Sequence, residues 1–168
     1  MEIWYTYTGD IDKNIVAQAI NWIQTQVFSG TANIQKLTFF ISSTGGDADS
    51  GIRLYDYLTA LPFDVRTVGF GQVYSAAVTV FLAGTERIAI KNCKFLVHEG
   101  IYTIGQPAAP MHIHEETISI LKELGKRNIE IISQKTGKTI SQINEMMQNG
   151  IRSISGVFFD KSHTYSVE

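Results

Sequence analysis

The run Lys36–Ser42 (KLTFFIS) constrains the fold most, because a short and nearly continuous apolar stretch describes a strand buried on both faces. Such strands belong to parallel sheets, whose consecutive strands must be joined by crossover segments, usually helices. The run ends at Ser43-Thr44-Gly45-Gly46. A helical pattern follows, with Asp49 or Ser50 as its cap and Ile52, Leu54, Tyr55 and Leu58 inside. Pro62 then restarts the chain, and Val65–Val68 reads as a strand. The unit is strand, helix, strand.

The same alternation extends in both directions. Residues 2–8 (EIWYTYT) carry the aromatic and β-branched types of a strand and stop at Gly9-Asp10. Asp12 can cap a helix in which Ile15, Val16, Ala19, Ile20, Ile23 and Val27 recur at helical spacing until Ser29-Gly30. Gly69 and Gly71 break the third strand, so Val73–Ala83 reads as an apolar helix, followed by strands at Glu86–Ile90 and Lys94–Val97 that pair with each other or pack as a small layer. Residues 101–110 read as a Gly/Pro-interrupted loop, Met111–Lys135 as a long helix, and Thr139 or Ser141 as the start of another helix to Gln148. The tail 151–168 has no decisive pattern beyond a Ser/Ile/Phe alternation that suits an added strand pair. The alternation implies one α/β domain over residues 1–168, with helices on both sides of a sheet.

Composition narrows the function. With 168 residues, 44% hydrophobic and 18% charged, the chain can bury roughly 70% of its unfolded surface, which excludes disordered and fibrous classes. Fourteen basic against sixteen acidic residues, a net charge of -2, give no basic face for nucleic acid. The low charged fraction points to surface covered by further subunits. Cys93 stands alone, so no intrachain disulfide forms and a reducing compartment is expected. The start, MEIWYTYTGD, has no secretory pattern, and the longest apolar run, Val73–Gly84, is too short to span a membrane. The expected location is cytoplasmic.

Two residues carry the chemistry. Ser75 falls in the first turn of the apolar helix that follows a buried strand, where unpaired N–H groups and the positive helix end would stabilise an oxyanion formed by its attack on a carbonyl. Small Ala76 and Ala77 leave room for a substrate. From its segment alone, Ser75 is more simply explained as a capping or small packing residue of a buried helix. His98 ends a strand at its carboxyl side, where open α/β sheets put ligands, and a histidine there can act as a base or simply bond the backbone. Ser43-Thr44-Gly45-Gly46 opens a helix and can aim a second N–H at the same point, or serve as a tight turn. Gly69-x-Gly71 has Tyr74 where a dinucleotide motif needs a third glycine. His112 and His114 lie two apart on different helix faces, so a shared metal is not expected, and no cofactor is called for.

These segments, taken in order, resemble the proteolytic subunit of the Clp protease, the ClpP family of serine peptidases. The carriers are Tyr7-Thr8-Gly9-Asp10-Ile11, then Ile41-Ser42-Ser43-Thr44-Gly45-Gly46 with Gly51 and Leu54-Tyr55-Asp56 behind it. Gly71-Gln72-Val73-Tyr74-Ser75-Ala76, Ala83-Gly84, Phe95-Leu96-Val97-His98-Glu99 and Thr136-Gly137 through Ile143 complete the set. The resemblance implies a ClpP/crotonase-type fold of repeated βαβ units, with a protruding oligomerisation helix at Met111–Lys135 that packs rings of subunits together. It implies Ser75 as nucleophile, His98 as general base, and the N–H groups of Gly46 and Ala76 as the oxyanion hole, acting on unfolded peptides inside a homo-oligomeric ring.

Three departures accompany it. The slot expected to hold the triad acid falls near Gly150, and Met146–Gly150 contains no carboxylate; Asn149 and Asp160 are the candidate replacements. The chain begins almost at its first strand, without the axial-loop segment through which the family meets an AAA+ ATPase unfoldase, so that partner is put in doubt. The family's usual ending is replaced by residues 151–168. The alternatives are a non-catalytic ClpP-like subunit that builds or modulates a ring, and a crotonase-fold enzyme that stabilises a thioester enolate with the same oxyanion geometry.

Overall fold

The computed structural model describes residues 1–29, 33–100, 110–148, 152–154 and 164–167. In chain order the elements are β1 (Glu2–Thr8), α1 (Lys13–Phe28), β2 (Lys36–Ser43), α2 (Ala48–Thr59), β3 (Asp64–Tyr74), α3 (Ala76–Phe81) and β4 (Glu86–Ile90). There follow β5 (Lys94–Leu96), α4 (Met111–Thr136), α5 (Ile140–Gln148), β6 (Arg152–Ile154) and β7 (Thr164–Val167). The strands form one sheet in the order β1-β2-β3-β4-β7, with β5 pairing to β3 and to β6. Every pairing is parallel except β5 with β6.

β2 lies inside the sheet, between β1 and β3, and is buried as its sequence requires. Leu37, Phe39 and Ile41 are fully buried, and so is Thr38 on the opposite face. Phe39 stacks on Tyr5, whose ring meets Trp22 of α1 at 5.0 Å. Helix α1 starts where expected: Asp12 Oδ1 accepts from the N–H groups of Asn14 and Ile15, and Val16, Ala19 and Ile23 face the core. Each large side chain buried in this way contributes about 1.5–3 kcal/mol. The other face of the first two strands is less well covered than the expected second helix layer would make it. Trp4 lies against Phe40 yet stays 63% exposed. Beside it runs a polar lattice in which Glu86 accepts from Arg66 and Lys36, and Glu2 from Thr38 and Arg66. Partial burial of Glu86 opposes its charge, but the bonds from Arg66 and Lys36 outweigh that effect and hold its carboxyl below the usual carboxylate range.

The structure corrects the sequence reading in the third strand. β3 does not stop at Gly69 but continues through both glycines to Tyr74. Its first half pairs with β4, from Arg66↔Glu86 to Gly69↔Ala89, and its second half with β5, from Gln72↔Lys94 to Tyr74↔Leu96. β4 and β5 therefore share β3 as a neighbour instead of pairing with each other. The register against β2 shifts between Ile41 and Ser43, and Gly71 takes a φ of 60° there, a conformation glycine adopts without a Cβ penalty. The strand resumes because Val73 is fully buried between Ser43 and Phe95 in the ladder. Helix α3 consequently begins at Ala76 and is six residues long. Asp47 caps α2, its Oδ1 accepting from the Ser50 N–H at 2.9 Å, in place of the expected Asp49 or Ser50.

Among the described residues of the tail, the two strands do not pair with each other. β6 lies antiparallel on β5, and β7 lies parallel on β4. Cys93 is fully buried, and burial pushes its thiol up to about 12, which keeps it protonated and unreactive. Among the described residues, no helix is long and apolar enough to cross a membrane.

Candidate active site

Ser75 is not in a helical turn. It is the single residue between β3 and α3, with φ 53° and ψ −125°, in the region where side chains other than glycine's are strained. A serine on a strained strand-to-helix turn projects its hydroxyl away from both elements, the arrangement of a nucleophile elbow. The strain is held from three sides. The Ser75 N–H donates to Leu96 O at 2.8 Å, the Val78 N–H donates to Ser75 O at 2.9 Å, and α3 behind is wholly buried. Ser75 Oγ has no hydrogen-bond partner among the described residues.

The Ser43–Gly46 turn packs directly against this elbow. Gly45 has a φ of 96°, and a Cβ on it would stand 2.6 Å from Ser75 Cβ and 2.7 Å from Tyr74 O. Gly46 has a φ of 142°, and a Cβ there would collide with the carbonyl of Ile11. The turn is fixed from the β1–α1 connection: Ile11 N–H donates to Gly45 O at 2.7 Å, Asp47 N–H to Ile11 O at 2.8 Å, and Thr44 Oγ1 to Asp10 Oδ1 at 2.9 Å. This explains why Tyr7–Ile11 and Ser43–Gly46 belong to one site although residues 12–42 lie between them. The Gly45 N–H is occupied by Ser43 Oγ, whereas those of Gly46 and Ala76 have no partner among the described residues. Two free donors beside a hydroxyl are what an oxyanion hole requires.

His98 is brought here by the β3–β5 pairing. Tyr74 lies opposite Leu96, and the Ser75–Leu96 bond extends that ladder by one rung, so the chain leaves β5 at the elbow. His98 is half-buried, and its Nδ1 lies 2.6 Å from the Glu99 carbonyl oxygen. Ser75, His98, Gly46 and Ala76 line one open cleft of about 990 Å³. Its far wall comes from α4 and α5, with Leu121, Leu124, Ile140 and Met147 supplying apolar surface. Asn149 and Asp160 lie outside the described residues.

One pair in the cleft escaped the sequence reading. Thr79 of α3 donates to Asn128 of α4, tying the helix behind Ser75 to the long helix. Asn128 interrupts an apolar stripe formed by Leu121, Leu124 and Ile131, and a lone amide in such a stripe is a signal that the sequence offers. Arg127 adds an exposed ion pair with Asp56 of α2, its Nη2 donating to both carboxylate oxygens at 2.7 and 2.6 Å. His112 is exposed at the far end of α4, away from the lining. Among the described residues no three His, Cys, Asp or Glu side chains converge as metal ligands do.

The fold and cleft define an α/β protein with a strained serine between strand and helix, a histidine on the adjoining strand end, and two unpaired N–H groups beside them. A model of the Clp protease family matches residues 4–152, and the chain belongs to that family. ATP-dependent Clp protease proteolytic subunit 2 of Thermobifida fusca is 32% identical over 111 residues, 65% of this chain and 53% of that protein. The subunit 2 of Treponema denticola is 29% identical over 134 residues, 77% of this chain and 63% of that protein. The matched region thus spans about half to two thirds of the length of these relatives. Among solved structures, a ClpP1 mutant from Listeria monocytogenes superposes with a TM-score of 0.70 at 24% identity, covering 86% of this chain and 78% of that one. The architecture is the ClpP/crotonase-type fold.

Proposed function

We propose that the chain is a serine-type endopeptidase, built as a single peptidase domain, that cleaves unfolded peptides inside a ring of copies of itself. The observation that carries this reading is the strained Ser75 elbow, with Gly45 packed against it and His98 on the same cleft. In the reaction, His98 Nε2 takes the Ser75 Oγ proton as Oγ bonds to the scissile carbonyl carbon. The carbonyl π electrons move to its oxygen, which accepts from the Gly46 and Ala76 N–H groups. The intermediate then expels the amine, which leaves with the proton from His98. Water hydrolyses the acyl-serine by the same path in reverse order of partners.

Enclosure follows from the open cleft. An unselective site exposed on a monomer would attack its neighbours, whereas a chamber admits extended chains alone. The first half of α4 supports assembly, since Met111, Ile113, Ile118 and Ile120 are 41–73% exposed on a long helix. A non-catalytic ring subunit is the second reading, favoured by the absence of a carboxylate in Met146–Gly150.

The test combines sedimentation with cleavage of an unstructured, quenched fluorescent peptide. A multi-subunit species whose cleavage vanishes in Ser75→Ala is expected. A monomer at micromolar concentration contradicts the ring, and cleavage that survives in Ser75→Ala contradicts the nucleophile.

A further inference from the structure

The Nδ1 atom of His98 lies 2.6 Å from the main-chain carbonyl oxygen of the next residue, Glu99. A carbonyl oxygen only accepts, so the proton of this bond belongs to Nδ1, and a neutral imidazole protonated there presents a bare Nε2. That is the tautomer a base needs in order to take a proton from a serine hydroxyl. In serine triads a carboxylate on Nδ1 enforces it, and replacing that acid by an amide costs about 10⁴ in turnover because the wrong tautomer is held. The segment Met146–Gly150, where such an acid is expected, has none.

We propose that the main-chain carbonyl of Glu99, and not a carboxylate, sets the tautomer of His98, which makes Glu99 a positioning residue for the general base. This rests on the reading of Ser75 and His98 as nucleophile and base. The device is local, because it joins neighbouring residues at the end of β5 and needs nothing from residues 149–168. It is also incomplete: a neutral carbonyl orients the ring but does not offset the imidazolium charge as a carboxylate would. The site is therefore poised yet slower than a full triad.

The test is nitrogen-15 NMR of histidine-labelled full-length protein at about pH 9, above the ordinary histidine pKa of about 6.5. The His98 signals are assigned by their loss in His98→Gln. The expected signature is a protonated Nδ1 and an unprotonated Nε2, favoured about fivefold or more, in the wild type and equally in Asn149→Ala and Asp160→Ala. A dominant Nε2–H form in the wild type overturns the proposal, as does a tautomer lost in either variant, which would assign the role to that side chain. An Nδ1–H signature without covalent labelling of Ser75 supports this assignment and contradicts the peptidase reading. Labelling together with an Nε2–H form does the reverse.

Discussion

Replacing His98 by glutamine is expected to lower the rate of Ser75 acylation by about 10²–10⁴ while leaving the fold intact. The range sits below the loss of about 10⁶ that removal of the base causes in a complete triad, because triad members act as a unit and the damage is not additive. A site whose histidine is oriented by a neutral carbonyl has less to lose. His98 is half-buried at a strand end, and its only hydrogen bond among the described residues is the local one to Glu99, so no core contact depends on the imidazole. Stability should therefore change by less than about 0.5 kcal/mol. The check is the pseudo-first-order rate of inactivation by a fluorophosphonate, together with the urea midpoint. An unchanged rate would remove His98 from the mechanism.

Gly45→Ala is expected to damage both stability and chemistry. The substitution forces a Cβ into a backbone at φ 96° and into the space 2.6 Å from Ser75 Cβ and 2.7 Å from Tyr74 O. Neither neighbour is the far end of a flexible side chain, so the turn or the elbow must shift. The cost is about 3 kcal/mol or more, from strain and overlap together. A displacement of about 1 Å at the elbow also costs about 100-fold in rate. Gly125 supplies the contrast. It lies inside α4, nothing stands within 4 Å of a Cβ placed on it, and Gly125→Ala should stabilise the protein by up to about 1 kcal/mol. Urea denaturation of the two variants beside the wild type decides the matter. A Gly45→Ala protein as stable and as reactive as the wild type would show that the close packing of the turn on Ser75 is unimportant.

The sequence made the architecture legible wherever one periodicity ruled. Lys36–Ser42 announced a central strand because its residues are apolar on both faces, and Asp12 announced α1 because a capping carboxylate precedes an apolar stripe. The reading failed where tertiary pairing overrode a local signal. Gly69 and Gly71 looked like a break, yet the ladder to β5 carried β3 through them to Tyr74, and this turned Ser75 from a helical residue into the strained residue of an elbow. Asp47 displaced its neighbours as cap of α2 because Gly46 bends the chain so that the Asp47 side chain meets Ser50. Within the candidate site, Ser75 and His98 stand out in the sequence by their places after predicted strands, whereas Gly46 and Ala76 are singled out as a pair by the family resemblance. The Thr79–Asn128 bond was not, because its partners are 49 positions apart and meet only when α4 folds over α3. Equally invisible was the bond from His98 to Glu99, since its formation depends on the angle at which the chain leaves β5.

The proposed chemistry depends first on whether Ser75 is an activated nucleophile. The direct measurement is the intact mass of the protein after incubation with a fluorophosphonate, for the wild type and Ser75→Ala across pH 6 to 9. One phosphonyl adduct per chain is expected in the wild type, and none in Ser75→Ala. A folded, assembled wild type that takes no adduct at any of these pH values would contradict it, and would leave the chain as a ring-building subunit without chemistry of its own.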